Sequence, residues 1–442
     1  MQGKNVSKIC NVVMKFFKKA VLKIDKSVKF VKRRSKMNAK LFAEVLISGC
    51  LSDPTISLER LCKLIKNRGV KITKQGLHQR FNEEAAALMQ TLFQESLDQF
   101  KTEKCDMLDL LKPFSSVKMI DSTSISLPSN LKNLYKGAGG LGSDAGLKIQ
   151  VLFNYLHCQV SQITITGGCE NDQSFDGHLN DIEKDTLYLQ DLGYFKLKSF
   201  ATIIDKNAYF ISRYLNPTTV FDERNAPIDL MRELQQAGTY FAKKIWLGQK
   251  KKIEVRLIAS RLPDVDYEKR IYKLKKSAQK RGRIPKKETL ELARWSIYIT
   301  NVPEDMLNKE QVYLMYSLRW QIELLFKLCK GEAGLAKVSG KTPSRIFCEI
   351  YAKMICIVML LYFCFPFRWK EMQEISFQKA YRALKLRALD FFKALTSPYQ
   401  LRKFIQAFLS DILEFAFKDN YRIKRRLAYQ KLMDSARQEI LI

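Results

Sequence analysis

The sequence predicts a mixed α/β (α+β) protein in which a β-rich core, interrupted by an inserted segment, lies between helical N- and C-terminal regions. Apolar residues recur at helical spacing before Pro113, which ends the first helical region. β-prone runs then dominate residues 113–216. Between residues 217 and 305, short β-like runs flank a segment crowded with lysine and arginine, and helical periodicity returns from residue 306.

Composition bounds the size of the protein and its class of partner. With 442 residues and 46% apolar content, the chain is long enough for two or three domains with their own cores. It carries 76 Lys and Arg against 45 Asp and Glu, which gives a formal net charge of +31. Such an excess attracts polyanions, so nucleic acid is the first candidate partner and an anionic membrane surface the second.

Cysteine and histidine usage bears on metal binding and on location. None of the ten cysteines forms a Cys-x2-Cys pair and there are three histidines, so the sequence holds no structural zinc pattern. His178 is interpreted as structural. The N-terminus lacks the apolar run of a cleavable signal sequence, so we expect a cytoplasmic protein with reduced cysteines.

Residues 1–112 are predicted to form a helical DNA-binding region. Residues 1 to about 36 mix apolar and basic positions and predict basic amphipathic helices, for which a membrane surface is the alternative partner. From Ser57 the pattern predicts helix, turn at 67–69 and helix, and the second helix begins with side chains suited to duplex DNA. These are Lys74, Gln75, His78, Gln79 and Arg80. A plain helical hairpin explains the same pattern equally well.

Residues 113–216 are predicted to begin the core. Three consecutive strands are expected at 117–127, 147–155 and 159–166, followed by a helix at about 172–185 and a fourth strand at 186–190. This order is expected of a ribonuclease-H-like core, although other α/β domains share parts of it. One further strand pair is predicted at 202–205 and 209–214.

The rest of the chain is predicted in three parts. Residues 217–305 form a mostly β insertion whose basic segment, residues 269–287, is a loop. The core resumes at 306–368, where the apolar run Met354–Phe367 is too short to span a bilayer and is interpreted as a buried helix. Residues 369–442 form a basic C-terminal helical region.

One continuous helix is predicted over Tyr316–Lys330, a stretch without Gly or Pro. At about 100° per residue, its apolar side chains gather on one face. A second face carries one carboxylate among cations and a phenol, namely Tyr316, Arg319, Glu323, Lys327 and Lys330. A plain interpretation is an exposed helix with i,i+4 ion pairs that contribute about 0.2–0.5 kcal/mol each.

The spacing Tyr-x2-Arg-x3-Glu-x6-Lys resembles the signature of a group of DDE transposases from bacterial insertion sequences. That resemblance implies two aspartates upstream, each in its own context. Asp121 in Ile-Asp-Ser-Thr matches the first acid, Asp191 in Asp-Leu-Gly-Tyr-Phe matches the second, and Glu323 matches the third. Asp205 in Asp-Lys-Asn-Ala-Tyr-Phe is the rival for the second position, but Asp191 keeps the glycine that allows a tight turn.

The resemblance implies a catalytic set of three carboxylates that bind two Mg²⁺ ions, with Mn²⁺ as a substitute. Two hard divalent ions activate water, neutralise charge at phosphorus and stabilise the leaving oxygen, and they need few protein oxygens. Asp121 would bridge both ions, and Asp191 and Glu323 would each hold one.

The resemblance also implies DNA-binding residues. Tyr316, Arg319 and Lys330 would contact phosphates near the cleaved end. Trp295 would stack on an unpaired base, and a core strand tryptophan is the alternative. Within the basic segment, Arg281 and Arg283 fit contacts to the DNA backbone.

The leading hypothesis is a cut-and-paste transposase that binds the terminal repeats of a mobile element and target DNA in the bacterial cytoplasm, at the nucleoid. A homodimer across two DNA ends is expected, with the C-terminal helices as its contact and no membrane partner. The alternative is a non-catalytic DNA-binding protein or repressor derived from such an enzyme.

Overall fold

The computed structural model describes residues 2–32, 37–102, 109–139, 143–249, 252–367 and 375–418. The chain divides into two compact units. A helical unit contains Met1–Met107, Ser122–Glu170 and Trp320–Ile442, and a strand unit contains Leu108–Asp121 and Asn171–Arg319. Residues 419–442 of the predicted C-terminal region lie outside the described residues.

Helices account for most of the helical unit and also occur between the strands of the strand unit. In chain order they are α1 (Gln2–Lys15), α2 (Val21–Val28), α3 (Ala39–Ser52), α4 (Leu58–Lys66), α5 (Lys74–His78), α6 (Glu83–Gln99), α7 (Leu197–Asp205), α8 (Leu230–Gln236), α9 (Asp264–Lys280), α10 (Lys287–Leu292), α11 (Lys309–Ser317), α12 (Trp320–Lys330), α13 (Pro343–Cys364), α14 (Phe377–Leu386), α15 (Ala388–Ala394) and α16 (Pro398–Phe415). A π-helical turn, Phe16–Ala20, joins α1 to α2.

The described residues form nine strands. They are β1 (Ser116–Leu127), β2 (Ala145–Asn154), β3 (Gln159–Gly167), β4 (Thr186–Gln190), β5 (Tyr209–Arg213), β6 (Val220–Phe221), β7 (Tyr240–Leu247), β8 (Ile253–Arg261) and β9 (Trp295–Thr300). The first four lie within one to two residues of their predicted positions, because each is a β-prone run that ends at a polar residue, at Gly167 or before Pro128.

The first half of β1 belongs to the strand unit and its second half to the helical unit. The strand order is therefore given for each unit separately. In the strand unit the order is β1-β4-β5-β9-β8-β7-β6. β1, β4 and β5 run parallel, whereas β9, β8, β7 and β6 are each antiparallel to the strand before them. In the helical unit the order is β3-β2-β1, with β2 and β3 antiparallel. Three strands followed by a parallel pair is the ribonuclease-H-like topology, and the predicted fold class is confirmed.

The helical unit is built around α13. Its Tyr351 stacks on Phe93 of α6 with ring centroids 5.9 Å apart, and its Cys356 thiol lies 3.5 Å from the carbonyl oxygen of Ile47 in α3. Within the described ranges, α13 is the one helix long and apolar enough to cross a membrane, and 94% of its most apolar stretch is buried inside the protein. Burial on every side explains its continuous apolar sequence, because a core helix has no solvent face.

The N-terminal amphipathic helices bury their apolar face within the helical unit. Phe16 packs on Phe100 with ring centroids 5.2 Å apart, and Phe17 packs on Phe391 of α15 at 6.1 Å. Val13 and Val21 are also fully buried. The alternative of a membrane-surface helix requires this apolar face to be exposed, and the structure shows it packed against protein.

Three local predictions were wrong. The expected helix at 172–185 consists of two 3-10 turns, Asp172–Ser174 and Gly177–Leu179. The expected strand at 202–205 is the last part of α7, whose Phe200 stacks on Phe210 of β5 at 4.3 Å. The basic segment at 269–287 is mostly the helix α9, because straight-chain residues without Gly or Pro fill positions 264–280.

Candidate active site

The strand unit places Asp121 and Asp191 side by side. β1 and β4 are parallel neighbours, and their register pairs Ile120 with Gln190. Asp121 and Asp191 are therefore the next residues of two adjacent backbones, which lie about 4.8 Å apart in a sheet. Both side chains are half-buried. The adjacency follows from the sequence, since each aspartate comes at the same offset from a buried β-branched or aliphatic run.

Asp191 directly follows β4, and Tyr316 of α11 contacts it from one side. The phenol oxygen of Tyr316 lies 3.3 Å from the carbonyl oxygen of Gln190 and 3.4 Å from Asp191 Oδ1. The pKa of Tyr316 is raised mainly by burial and secondly by the negative charge of Asp191. The phenol therefore keeps its proton and is the hydrogen-bond donor in both contacts. A 3-10 turn, Leu192–Tyr194, carries the chain away from the strand. Gly193 is not among the residues with positive φ, so the turn does not depend on a left-handed glycine as the sequence argument assumed.

Asp121 is paired with Arg319, which follows α11. Arg319 Nη1 lies 3.2 Å from Asp121 Oδ2, and the two side chains are 15% and 23% exposed. The N–H groups of Leu318 and Arg319 donate to Met315 O and Tyr316 O, at 3.1 and 3.0 Å, so the backbone makes a tight turn at this point. The predicted continuous helix from Tyr316 to Lys330 is thus wrong, and α11 and α12 are separate helices.

Within the helical unit, α12 has one buried face and one polar face. Ile322, Leu325, Phe326 and Cys329 are buried as the helical wheel predicts. Trp320, Glu323, Lys327 and Lys330 fall within about 80° of arc on the other side. Glu323 is half-buried, Lys327 and Lys330 are exposed, and Lys327 Nζ lies 4.7 Å from the centre of the Trp320 ring. The helix thus carries a carboxylate beside two exposed cations and an exposed aromatic ring.

Asp205 lies at the opposite edge of the parallel strands. It is the last residue of α7 and is exposed, and β5 begins only at Tyr209. Asp191, by contrast, directly follows the carboxyl end of β4. Because β4 and β5 are parallel, a residue that precedes β5 lies at the other edge from a residue that follows β4. The structure therefore favours Asp191 over Asp205.

The other predicted DNA-binding residues lie elsewhere in the strand unit. Trp295 is the first residue of β9 and is 7% exposed. It is three residues from Tyr298, so the two side chains point to opposite faces of the sheet. Because Tyr298 contacts Tyr316, Trp295 faces away from the Asp191 region, which favours the core alternative. Arg281 and Arg283 are exposed at the end of α9.

Sequence reasoning missed Tyr298. Its ring centroid lies 4.7 Å from that of Tyr316 and 4.9 Å from that of Tyr313. Burial raises its pKa. The alternation of β9 placed Tyr298 on the face opposite Trp295, and that signal is readable in the sequence. Its partners on α11, the next element of the chain, are not readable, because the contact depends on how that helix packs against the sheet.

The donors in the strand unit suit a hard divalent cation. Asp121 and Asp191 supply carboxylate oxygens, the ligand type that Mg²⁺ and Mn²⁺ prefer. Asp121 Oδ2 already faces a positive group, the Arg319 guanidinium. Across the parts of the chain that the structure describes, no group of three or more His, Cys, Asp and Glu side chains is arranged to hold a metal ion. The chemistry therefore fits a divalent cation at these two aspartates, with a further ligand still required.

Comparison with known proteins gives concordant results. The profile of the family described as "Transposase DDE domain" matches residues 112–359. The chain is 27% identical over 433 residues to the transposase for insertion sequence element IS231B of Bacillus thuringiensis subsp. berliner, covering 91% of this chain and 90% of that protein. It is 26% identical over 439 residues to the transposase for insertion sequence element IS1151 of Clostridium perfringens, covering 91% of each.

Among solved structures, the chain is similar to one described as the cryo-EM structure of piggyBac transposase synaptic complex with hairpin DNA. The TM-score is 0.48 at 10% sequence identity, over 91% of this chain and 85% of that chain. The fold class rests on the strand order of this chain.

Proposed function

The chain belongs to the family of transposase DDE domains, and from that premise we propose that it cleaves the ends of a mobile element and joins them to target DNA. The proposed chemistry is hydrolysis and then transesterification of phosphodiester bonds, in a cut-and-paste reaction. The proposed location is the bacterial cytoplasm, with double-stranded DNA as the partner.

The observation that carries the proposal is the pair of aspartates formed by Asp121 within β1 and Asp191 directly after β4. Two carboxylates on adjacent parallel strands, one beside a guanidinium and one beside a protonated phenol, form a polar site on a rigid scaffold. The sequence motifs predicted Asp121 and Asp191, and the register between β1 and β4 makes them neighbours.

We assign the metal ligands as Asp121 and Asp191, with Glu323 of α12 as the third carboxylate by family resemblance. Divalent cations, when bound, lower the pKa of water and offset the charge that develops at phosphorus. Tyr316 fixes the orientation of Asp191 through its hydroxyl. Arg319 holds Asp121 and carries a guanidinium whose fork suits a phosphate. Lys330 offers an exposed point charge for the DNA backbone.

Further parts of the chain support binding of DNA and assembly. We propose that α4 and α5 contact duplex DNA, although α5 is only five residues long and Lys74 at its start is paired with Glu59 at 3.1 Å. Arg281 and Arg283 offer exposed guanidinium groups from the strand unit. The C-terminal helices α14 to α16 are proposed as the contact of a homodimer that holds two DNA ends.

Three single variants test the carboxylates: Asp121→Asn, Asp191→Asn and Glu323→Gln. Each keeps the shape of the side chain and removes its charge, so we expect cleavage of a duplex that carries the element's own terminal repeat to fall by more than about 100-fold in Mg²⁺ or Mn²⁺, beyond what loss of an outer-shell partner causes. Binding to the same duplex without metal should stay within about threefold of wild type, because no proposed phosphate contact is removed.

Asp205→Asn is the matched control and should cleave normally. Wild-type cleavage by any of the three variants would contradict the assignment of that residue. If the wild-type protein binds the repeat but never nicks it with either metal, the alternative of a non-catalytic DNA-binding protein or repressor replaces the proposed enzyme.

A further inference from the structure

One helical segment of the strand unit, which we call the finger, is formed by α9, α10 and the residues between them. Neither α9 nor α10 contains a buried residue. We call residues 281–286 the tip. Its sequence is Arg-Gly-Arg-Ile-Pro-Lys, and Ile284 at its centre is 93% exposed, more than any other large apolar side chain of the described residues.

The base of the finger is fixed to β9 and to Arg294, the residue just before it. Arg270 Nη1 donates to Trp295 O at 2.7 Å, and Arg270 Nη2 donates to Ser296 Oγ at 3.2 Å. The Arg294 guanidinium lies 4.3 Å from the centre of the Tyr267 ring. Lys280 lies ten residues beyond Arg270 on α9, a distance of about 15 Å along the helix axis. The tip therefore follows a helix that is anchored to β9 about 15 Å before its C-terminal end.

The backbone of the tip is pre-organised. The N–H groups of Arg281 and Arg283 both donate to Ala278 O at 2.9 Å, and Gly282 between them has a φ of +62°. Only glycine adopts that conformation freely, and its missing side chain leaves the backbone open to close approach. Ile284 precedes a proline, which favours an extended conformation for the isoleucine and limits the entropy lost on binding.

The cations of the tip, and Lys280 just before it, form no ion pair among the described residues. Elsewhere on the finger, Lys269 pairs with Asp266 at 3.3 Å, and Lys287 lies 3.9 Å from Glu291. Within the ranges that the structure describes, no ion pair is formed by Lys280, Arg281, Arg283 or Lys286. Cations without acidic partners suit a polyanionic ligand, and an exposed apolar side chain suits an apolar surface. Duplex DNA offers both, because its phosphate backbones are anionic and its stacked base pairs are apolar.

We propose that the tip enters the minor groove of A·T-rich duplex DNA, with Arg281 and Arg283 in the groove and Ile284 wedged against a base step. The narrow minor groove of A·T tracts concentrates negative potential that attracts arginine. Apolar wedges, isoleucine among them, partly unstack a step and bend the duplex. The inference rests on the proposed function only in taking duplex DNA as the ligand, and it adds a groove, a sequence preference and a bend.

The test measures binding and bending of full-length protein without divalent metal, on two short duplexes labelled at both ends. One duplex has a central A·T tract with a TA step, and the other has G·C pairs at those positions. Wild type should bind the A·T duplex about tenfold more tightly, within the usual effect of changed base pairs. It should also shorten the end-to-end distance of that duplex, read by energy transfer.

Matched variants separate the tip from general charge. Arg281→Ala/Arg283→Ala should remove the A·T preference, whereas Lys273→Ala/Lys275→Ala, which removes two exposed cations from the same finger, should weaken both duplexes by the same factor. Ile284→Ala should keep about the wild-type affinity for the A·T duplex, within threefold, and lose the bend.

A wild-type protein with no A·T preference or no bend would overturn the proposal, as would equal effects of the two double variants on the ratio of affinities. Repeat-end cleavage in Mg²⁺ reports the proposed function separately, because it depends on the three carboxylates. A wild-type protein that cleaves repeat ends in Mg²⁺ but binds the two duplexes equally shows that the inference about the tip has failed and the proposed function has not.

Discussion

Replacing Tyr316 by Phe removes one hydroxyl from beside Asp191 and keeps the ring in its contact with Tyr298. The lost oxygen lies 3.3 Å from Gln190 O and 3.4 Å from Asp191 Oδ1. Burial raises the pKa of the phenol, so the hydroxyl is a donor throughout the neutral range. The variant therefore deletes a single donor and leaves a buried carbonyl and a half-buried carboxylate with one partner fewer.

The size of the effect follows from these distances. A neutral hydrogen bond contributes about 0.5–1.5 kcal/mol, and contacts of this length belong near the lower end of that range. A loss of about 0.5 kcal/mol lowers the melting temperature of a unit of this size by about 1–2 °C. Loss of a partner that orients a metal ligand typically costs about 10–100-fold in metal affinity or activity. We therefore expect cleavage to fall about tenfold and the Mg²⁺ concentration for half-maximal rate to rise.

Tyr313→Phe is the control. Tyr313 lies on the same helix, packs against the same Tyr298 ring, and its hydroxyl donates to Ser296 O at 2.9 Å. Both variants should lose similar stability, but only Tyr316→Phe should change the rate of end cleavage and its dependence on Mg²⁺. Equal cleavage rates and equal Mg²⁺ profiles in the two variants would refute a positioning role for Tyr316.

Two further predictions concern stability. Burial lowers the pKa of His178 to about 4 from its ordinary 6.5, so the folded protein resists protonation that the unfolded chain accepts. The contribution of neutral His178 to the free energy of unfolding is fully present above about pH 6.5 and is lost as the pH falls towards 4, by about 2 kcal/mol at pH 5. The urea midpoints at pH 7 and pH 5 measure this loss. If the midpoint of His178→Gln falls as much as that of wild type between the two pH values, His178 is not its cause. Glu349 is 1% exposed and accepts from Arg345 Nε at 2.9 Å and from the Ser339 N–H at 2.7 Å. We therefore expect Glu349→Ala to lower the free energy of unfolding, measured with urea, by about 3–5 kcal/mol. The control is Glu254→Ala at an exposed site, and a urea midpoint of Glu349→Ala no lower than that of the control would contradict the prediction.

The parts of the fold that the sequence predicts well are those set by local patterns. β4 was predicted at 186–190 and lies there, since a short apolar run ends at a polar residue and a turn. The same rule failed at Thr202, Ile203 and Ile204, where a β-branched run forms the end of α7. Packing of Phe200 on Phe210 overrides the strand propensity of those residues.

The candidate site divides in the same way. Family resemblance predicted Asp121 and Asp191 as site residues, which stays a prediction, and the register of two parallel strands makes them neighbours. The inward position of Tyr316 was not predictable, because the wheel placed it with exposed cations and only the turn at Leu318 separates it from α12. The burial of Trp295 was not predictable either, because it depends on which face of β9 is covered by other residues.

The parallel pairing of β1 and β4 limits how this chain can vary in length. Side chains alternate between the two faces of a sheet, so gaining or losing a single residue in Ser116–Ile120 would carry Asp121 to the reverse side while Asp191 stayed in place. Relatives that keep the reaction should therefore tolerate exchanges of side chain in this stretch but no insertion or deletion. With Asp121 as the proposed metal ligand, we expect a natural copy with one residue deleted there to encode a protein that does not cleave DNA.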